Sequence, residues 1–263
     1  FKRSKTADAQ PGDDDFDVIR FDSTENPQFP KAEFERARQS LPAWKFKLFY
    51  RGIFTRPAGQ IYDNFSDEYE PSGFKVRPFI IPSNWPRYIG LDFGGTNTVA
   101  IFIAEDPDTQ KLDAQRNKIA GSGKLYLYRE YKAGSRTAKQ HADALLSGEP
   151  RRPDLCFGGS HSEGQWRNEF RAASYPISDP LIKDVEVGIN RSYSIFAAGN
   201  FRVFDTCIGF LDQVMSYSRE VDDAGEPTEK IEDKETFHFL DALRAIGQRI
   251  APDRPLRTAL DVY

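Results

Sequence analysis

Asp92 stands at the end of a short apolar segment and is followed by the glycine pair Gly94-Gly95. Apolar side chains alternate along 88–93 with the two-residue period of a strand, and Gly90 shares the other face with Asp92. Because Gly90 has no side chain, we expect a ligand to approach the backbone there. The segment predicts a site for a cation and a phosphate, although a simple strand end with a tight turn gives the same pattern.

Two further carboxylates and one imidazole could join Asp92. Glu163 lies in the first turn of a predicted helix, and His238 and Asp241 are three residues apart on the last helix, hence on one face. Hydrolysis of a phosphodiester needs an activated water and positive charge on the phosphate oxygens. Two divalent ions about 4 Å apart supply both, and Mg²⁺ prefers carboxylate oxygens. Three acids from three separate elements would hold such a pair.

Each of these residues also has an ordinary structural explanation. Glu163 stabilises a helix dipole whatever else it does, and His238 could be a buried histidine with satisfied hydrogen bonds. Asp241 lies in a mainly apolar helix, so it must be paired, exposed or metal-bound. Asp233 is an alternative ligand, and Asp205 is expected to cap the helix that follows it.

Overall charge does not favour a nucleic-acid partner. The 263 residues include 36 lysines and arginines against 40 acids, a net charge of −4, so DNA binding would need a local basic patch. Four arginines are candidates for phosphate contacts, although ordinary surface solubility explains each of them as well. They are Arg151, Arg152, Arg167 and Arg171.

The hydropathy and the cysteines bear on the cellular compartment of the protein. No apolar run approaches the roughly 20 residues that a membrane helix needs, so no membrane contact is predicted. Cys156 and Cys207 lie far apart in apolar surroundings, which favours free thiols in a reducing cytoplasm. The chain starts at Phe1, and we interpret it as a fragment whose N-terminal part is missing.

The elements that must position the acids follow an order of β-β-β-α-β-α-β-α. Three antiparallel strands followed by alternating units predict an α/β, ribonuclease H-like mixed sheet, preceded by a small partial N-terminal region. One predicted strand ends at Asp92, and four others cover 99–104, 125–131, 154–158 and 202–204. The predicted helices cover 135–146, 162–173, 206–217 and 235–250. This fold serves many functions and does not choose one.

The sequence resembles the large terminase subunits that package DNA into the heads of tailed bacteriophages. The resemblance spans nearly the whole chain, and 233–244 resembles the closing His-x-x-Asp-Ala-Leu-Arg helix of the family. It implies that Asp92, Glu163 and Asp241 are the three catalytic acids and that His238 orients a ligand or the DNA. The family often carries its second acid as an aspartate a few residues before the position of Glu163.

The resemblance also implies a function and partners. We expect an endonuclease that cleaves double-stranded DNA with two Mg²⁺ or Mn²⁺ ions, in the cytoplasm of the infected bacterial host, beside a portal protein and a small terminase subunit. Residues 1–65 resemble the end of the ATPase motor domain, 66–86 a linker, 87–252 the nuclease domain and 253–263 a tail. The G-x-x-x-x-G-K-[ST] phosphate loop is absent from the sequence, so we expect no ATP hydrolysis by that route.

Two other functions remain open. Asp92 to Thr98 resembles the first phosphate hairpin of sugar-kinase and actin-like ATPases, although the sequence shows no second hairpin and no glycine-rich adenosine loop. A non-catalytic DNA-binding or portal-docking module would keep the fold without needing the acids. The nuclease is favoured because three acids stand at the expected ends of elements.

Overall fold

The structure, a computed structural model, describes residues 22–40, 46, 49–52, 59–94, 96–181, 184–222 and 226–252. The apolar residues of 18–22 predict a further short strand, which lies almost entirely outside the described residues, as do Gly95 and the predicted tail. The chain forms two compact units. One contains the described residues up to Gln60 together with Ser218–Glu232, and the other contains Ile61–Tyr217 and the residues from Asp233 onward.

A six-stranded mixed sheet forms the centre of the larger unit. Its strands are β1 (Lys75–Val76), β2 (Arg87–Asp92), β3 (Thr98–Glu105), β4 (Leu125–Ala133), β5 (Leu155–Gly158) and β6 (Phe201–Phe204). Their spatial order is β1-β6-β4-β3-β2-β5. The pairs β2–β3 and β3–β4 are antiparallel, and the other three pairs are parallel. This confirms the predicted meander and the ribonuclease H-like fold.

Helices cover this sheet. Helix α1 (Lys31–Ser40) belongs to the smaller unit, and the larger unit contains α2 (Ala138–Leu146), α3 (Gly164–Ala172), α4 (Val185–Ala197), α5 (Ile208–Ser216) and α6 (His238–Ile250). The helical spacing of Ala138, His141, Ala142 and Leu145 predicts one apolar face of α2, and all four residues are buried. None of the described helices is both long enough and apolar enough to cross a membrane.

The smaller unit combines α1 with a two-stranded sheet of β7 (Arg219–Val221) and β8 (Pro227–Ile231). Aromatic rings pack within it: the centroids of Phe34 and Phe46 are 5.0 Å apart. The Arg219 amide donates to the Gly59 carbonyl at 3.0 Å. The β7–β8 hairpin therefore belongs to the same compact unit as the N-terminal residues, although it lies within the range 87–252 predicted as the nuclease domain.

Two elements differ from the sequence predictions. Helix α4 was missed because its buried face includes Gly188 and Ser192, whose small or polar side chains interrupt the apolar helical period. The segment 66–86, predicted as a linker, contains β1, which pairs with β6 at the edge of the sheet.

Helix α6 packs directly across β2 at Gly90. A Cβ atom built on Gly90 would lie only 2.1 Å from the carbonyl oxygen of Ala242, so the helix backbone occupies the place of a side chain. Leu240, Leu243 and Ile246 of the same helix are fully buried. The expectation that a ligand approaches Gly90 is therefore wrong. The glycine instead lets α6 lie close to β2, two residues before Asp92.

We predict that Gly90→Ala destabilises the protein by about 1–3 kcal/mol or more, because the added methyl group must push α6 away from β2. Chemical denaturation measures the effect. Gly164→Ala is the matched control, since the nearest atom to its added Cβ is a flexible arginine nitrogen 3.9 Å away. If both substitutions change the free energy of unfolding equally little, the close approach at Gly90 is wrong.

Candidate metal centre

Asp92, His238 and Asp241 converge at the end of β2. Nδ1 of His238 lies 2.7 Å from Oδ2 of Asp92. One potential ligand atom from each of the three residues lies within 4.8 Å of the others. Carboxylate oxygens suit Mg²⁺ and Mn²⁺, and an imidazole is an accepted ligand of many divalent metals. The three side chains thus fit a divalent cation by donor type and by spacing.

The first turn of α6 is held in place by Gln213 from α5. Its Oε1 accepts from the Phe239 amide at 2.9 Å, and its Nε2 donates to the Thr236 carbonyl at 2.8 Å. One of the unpaired amides at the start of α6 is thereby satisfied. This contact fixes the helix turn from which His238 projects toward Asp92.

The Asp92 carboxylate is held in an unfavourable environment. Burial, followed by the negative charge of Asp241, raises the pKa of Asp92 to about 6, against the opposing effect of its hydrogen bond to His238. The carboxylate is charged at neutral pH only at some cost in folding free energy. A bound cation would relieve this cost.

Asp241 has a partner of its own. The Arg244 guanidinium donates through Nη2 to Oδ1 of Asp241, one helical turn away. The side chains are 17% and 28% exposed, respectively, so this ion pair is partly shielded from water. Asp241 is therefore paired with Arg244, and it is also one of the three potential metal ligands.

Glu163 lies near the cluster but outside the group of three. It belongs to a short 3₁₀ turn (His161–Glu163) after β5, and its Oε2 accepts from the Ser160 amide at 2.5 Å. A Cβ atom on Gly159 would lie 2.9 Å from that oxygen. After burial and Asp241, the charge of Glu163 also raises the pKa of Asp92. Glu163 is thus close enough to influence Asp92 while serving as a helix cap.

Two of the predicted phosphate-binding arginines lie on α3, the helix that follows this loop. Arg167 is buried and donates to the carbonyl oxygens of Gly158 at 3.1 Å and Ser160 at 2.7 Å. Its guanidinium therefore supports the loop after β5, and the expectation that it contacts DNA is not favoured. Arg171 is exposed near the end of α3 and donates to the Asn168 side chain at 2.7 Å.

The other two arginines lie at the opposite end of β5. Arg151 pairs with Asp154 at 2.7 Å and donates to the Trp85 carbonyl at 3.1 Å, just before the strand begins. Arg152 is exposed beside it. The structure therefore does not bring Arg151 and Arg152 to the strand ends that carry the acids. The chain order already indicates this, since Arg151 and Arg152 precede β5 and the acids follow the ends of the strands.

The other acids considered from the sequence lie elsewhere. Asp233 is exposed, with a left-handed φ of 49°, and is not in the group of three. Asp205 accepts from the Tyr69 hydroxyl at 2.9 Å and does not cap α5. The Glu130 carboxylate instead accepts from the Gly209 and Phe210 amides at 2.9 and 2.8 Å.

A cleft of about 560 Å³ lies beside the acids. It is bounded by the end of β2, the loop after β5, the start of α4 and one face of α6. Its lining includes Asp92, Gly159, Ser160, Ser162, Asp184, Val185, Gly188, Asp241, Arg244 and Gln248. Because the sequence patterns did not predict α4, they also did not predict that its residues line this cleft. The three-residue spacing of Asp241 and Arg244 was the available signal for their contact.

No protein-family profile and no curated protein matches the sequence. Among solved structures, the large terminase of a thermophilic bacteriophage in complex with ATP-gamma-S is similar, with 18% identity and a TM-score of 0.57 over 88% of this chain. The chain shares its fold with this large terminase. It spans about half of that protein, 55% of its length.

Isolated terminase nuclease domains are also similar. The P22 domain is 22% identical, with a TM-score of 0.49 over 73% of this chain and 92% of that domain. The SPP1 domain with bound Mn is 15% identical, with a TM-score of 0.49 over 73% of this chain and 98% of that domain.

We predict that Asp92→Asn stabilises the metal-free protein above about pH 6. Because the folded state raises this pKa from its usual 3.8, the charged carboxylate lowers the free energy of unfolding progressively between about pH 4 and 6 and fully above that range. The loss is on the order of 3 kcal/mol at most. Thermal melting with a chelator should show the variant several degrees above wild type at pH 8 and equal to it near pH 4. Asp143→Asn, an exposed acid paired with Lys139, should change little at either pH.

We predict that Glu163→Gln separates capping from metal binding. Glutamine can still accept from the Ser160 amide, so the melting temperature without metal should stay close to wild type. Mn²⁺ affinity should fall, because one nearby negative charge is removed. Titration calorimetry measures this, and Glu163→Ala serves as a variant that loses the cap as well. Unchanged Mn²⁺ affinity in Glu163→Gln would mean that Glu163 is only a cap.

Proposed function

We propose that the chain is part of a phage large terminase subunit and acts as a metal-dependent endonuclease on double-stranded DNA during genome packaging. The observation that supports this most is the convergence of Asp92, His238 and Asp241 within 4.8 Å, in a chain with the fold of a phage large terminase. Carboxylates grouped at the end of a central strand, beside an open cleft, suit hydrolysis of a phosphodiester.

Asp92, Glu163 and Asp241 would together hold two Mg²⁺ or Mn²⁺ ions. When bound, the ions supply an activated water and positive charge on the phosphate oxygens. His238 holds the Asp92 carboxylate through its Nδ1 contact, which fixes the orientation of both side chains. The Ser160 amide holds the Glu163 carboxylate beside the cleft, where it would be available to a cation.

The remaining proposals concern partners and organisation. The cleft would receive the DNA backbone, with Arg171 as an exposed arginine on the helix that follows the loop after β5. Portal protein and small terminase subunit are the proposed protein partners, in the cytoplasm of the infected bacterial host. The proposed domains are an ATPase-domain remnant at 1–65, a connecting segment at 66–86, the nuclease at 87–252, interrupted by Ser218–Glu232 of the smaller unit, and a tail at 253–263.

A plasmid-cleavage assay tests the proposal. We expect supercoiled DNA to be cut in Mn²⁺ or Mg²⁺ with little sequence preference, and cleavage to fall as salt rises because phosphate contacts release counterions. Asp92→Asn should abolish cleavage, whereas the exposed control Asp143→Asn should retain it. Equal products from wild type and Asp92→Asn would show that the activity does not come from this site.

An ATPase assay tests the competing kinase-like function. The Asp92–Thr98 turn would then bind a nucleotide phosphate, and phosphate release would depend on Asp92. We expect no release above background with or without a sugar. ATP hydrolysis that is lost in Asp92→Asn, without DNA cleavage, would replace the nuclease by the kinase-like ATPase.

A further inference from the structure

Arg244 is a basic side chain in direct contact with the acid cluster. It lines the same cleft as Asp92 and Asp241 and binds Oδ1 of Asp241 through Nη2. We propose that Arg244 is the internal counter-ion of the metal-free site, which stabilises the clustered acids and weakens the binding of a divalent ion. This inference rests on the proposed metal-dependent nuclease and adds a residue that sets the metal affinity.

The position of Arg244 is determined by two helices. It follows Asp241 by three residues on α6, which places both side chains on the face toward the cleft. Its aliphatic stem lies against Gly188 of α4, where a built Cβ would be 3.3 Å from Cδ and 3.5 Å from Cβ and Cγ of the arginine. A larger residue at 188 would therefore press on this stem. The packing leaves the guanidinium beside Asp241.

The charge of Arg244 has opposite effects on the two states of the site. Without metal, Asp92 and Asp241 repel each other, and a fixed positive charge on Asp241 offsets this repulsion. With metal, the same charge would repel the divalent cation. The guanidinium also occupies Oδ1 of Asp241, so only Oδ2 of this carboxylate is free of the arginine. Because the guanidinium cannot lose its proton, the positive charge itself is present at every working pH.

Metal affinity provides the first test. Mn²⁺ binding is measured by calorimetry or electron paramagnetic resonance for wild type, Arg244→Met and Arg244→Lys. Methionine keeps much of the apolar stem without charge, and we expect its Mn²⁺ Kd to fall by about tenfold. Lysine keeps the charge, so its Kd should stay within about threefold of wild type. An unchanged or higher Kd in Arg244→Met overturns the proposal.

Melting with a chelator provides the second test and requires no metal. Arg244→Met should lower the melting temperature, because it leaves Asp241 without its counter-ion, and the same substitution should cost much less in an Asp241→Asn background. Equal losses in both backgrounds overturn the counter-ion role.

DNA binding in the absence of metal separates this role from a phosphate contact. Because Arg244 is already paired with Asp241, Arg244→Met should change duplex DNA binding less than it changes the Mn²⁺ Kd. Weaker DNA binding at unchanged Mn²⁺ affinity would identify Arg244 as a phosphate contact and overturn the proposal. If wild type itself binds no Mn²⁺ or Mg²⁺, the proposed nuclease fails, whereas the melting comparison still decides whether Arg244 acts as a counter-ion.

Discussion

The contact between α6 and β2 at Gly90 determines the geometry of the candidate site. A built Cβ would lie 2.1 Å from the Ala242 carbonyl oxygen, so strand and helix backbones touch without an intervening side chain. Asp241 precedes Ala242, and Asp92 follows Gly90 by two residues. The closeness of the two backbones therefore carries directly into the closeness of the two carboxylates. The packing at Gly90 thus brings two candidate metal ligands together at the end of β2.

Electrostatics makes this arrangement unfavourable on its own, and neighbouring groups offset part of the cost. Burial and Asp241 raise the pKa of Asp92, while its hydrogen bond with Nδ1 of His238 opposes this rise. Arg244 pairs with Asp241, and Ser160 donates to Glu163. Each acid thus has a partner within the larger unit. Such a cluster is expected where function, rather than folding stability, selects the residues.

Much of the fold and of the candidate site was predictable from local sequence patterns. The apolar alternation that ends at Asp92, the buried face of α2 and the His238–Asp241 spacing depend only on strand and helix periods. Long-range features were not predictable. Gly90 gives no sign of what lies opposite it, and Arg167 looks like a surface residue until its backbone acceptors are known. Helix α4 was not predicted because Gly188 and Ser192 lie on its buried face and interrupt the apolar pattern. Gly188 also leaves room for the side chain of Arg244.

The most direct measurement is anomalous diffraction from crystals of the protein soaked in Mn²⁺. The central claim is that the acids at the end of β2 and the start of α6 form a metal centre. It predicts an anomalous peak within about 2–2.3 Å of oxygens from both Asp92 and Asp241, and the loss of this peak in Asp92→Asn. Ordered density for both carboxylates with no peak between them, at Mn²⁺ concentrations that support cleavage, would contradict the account.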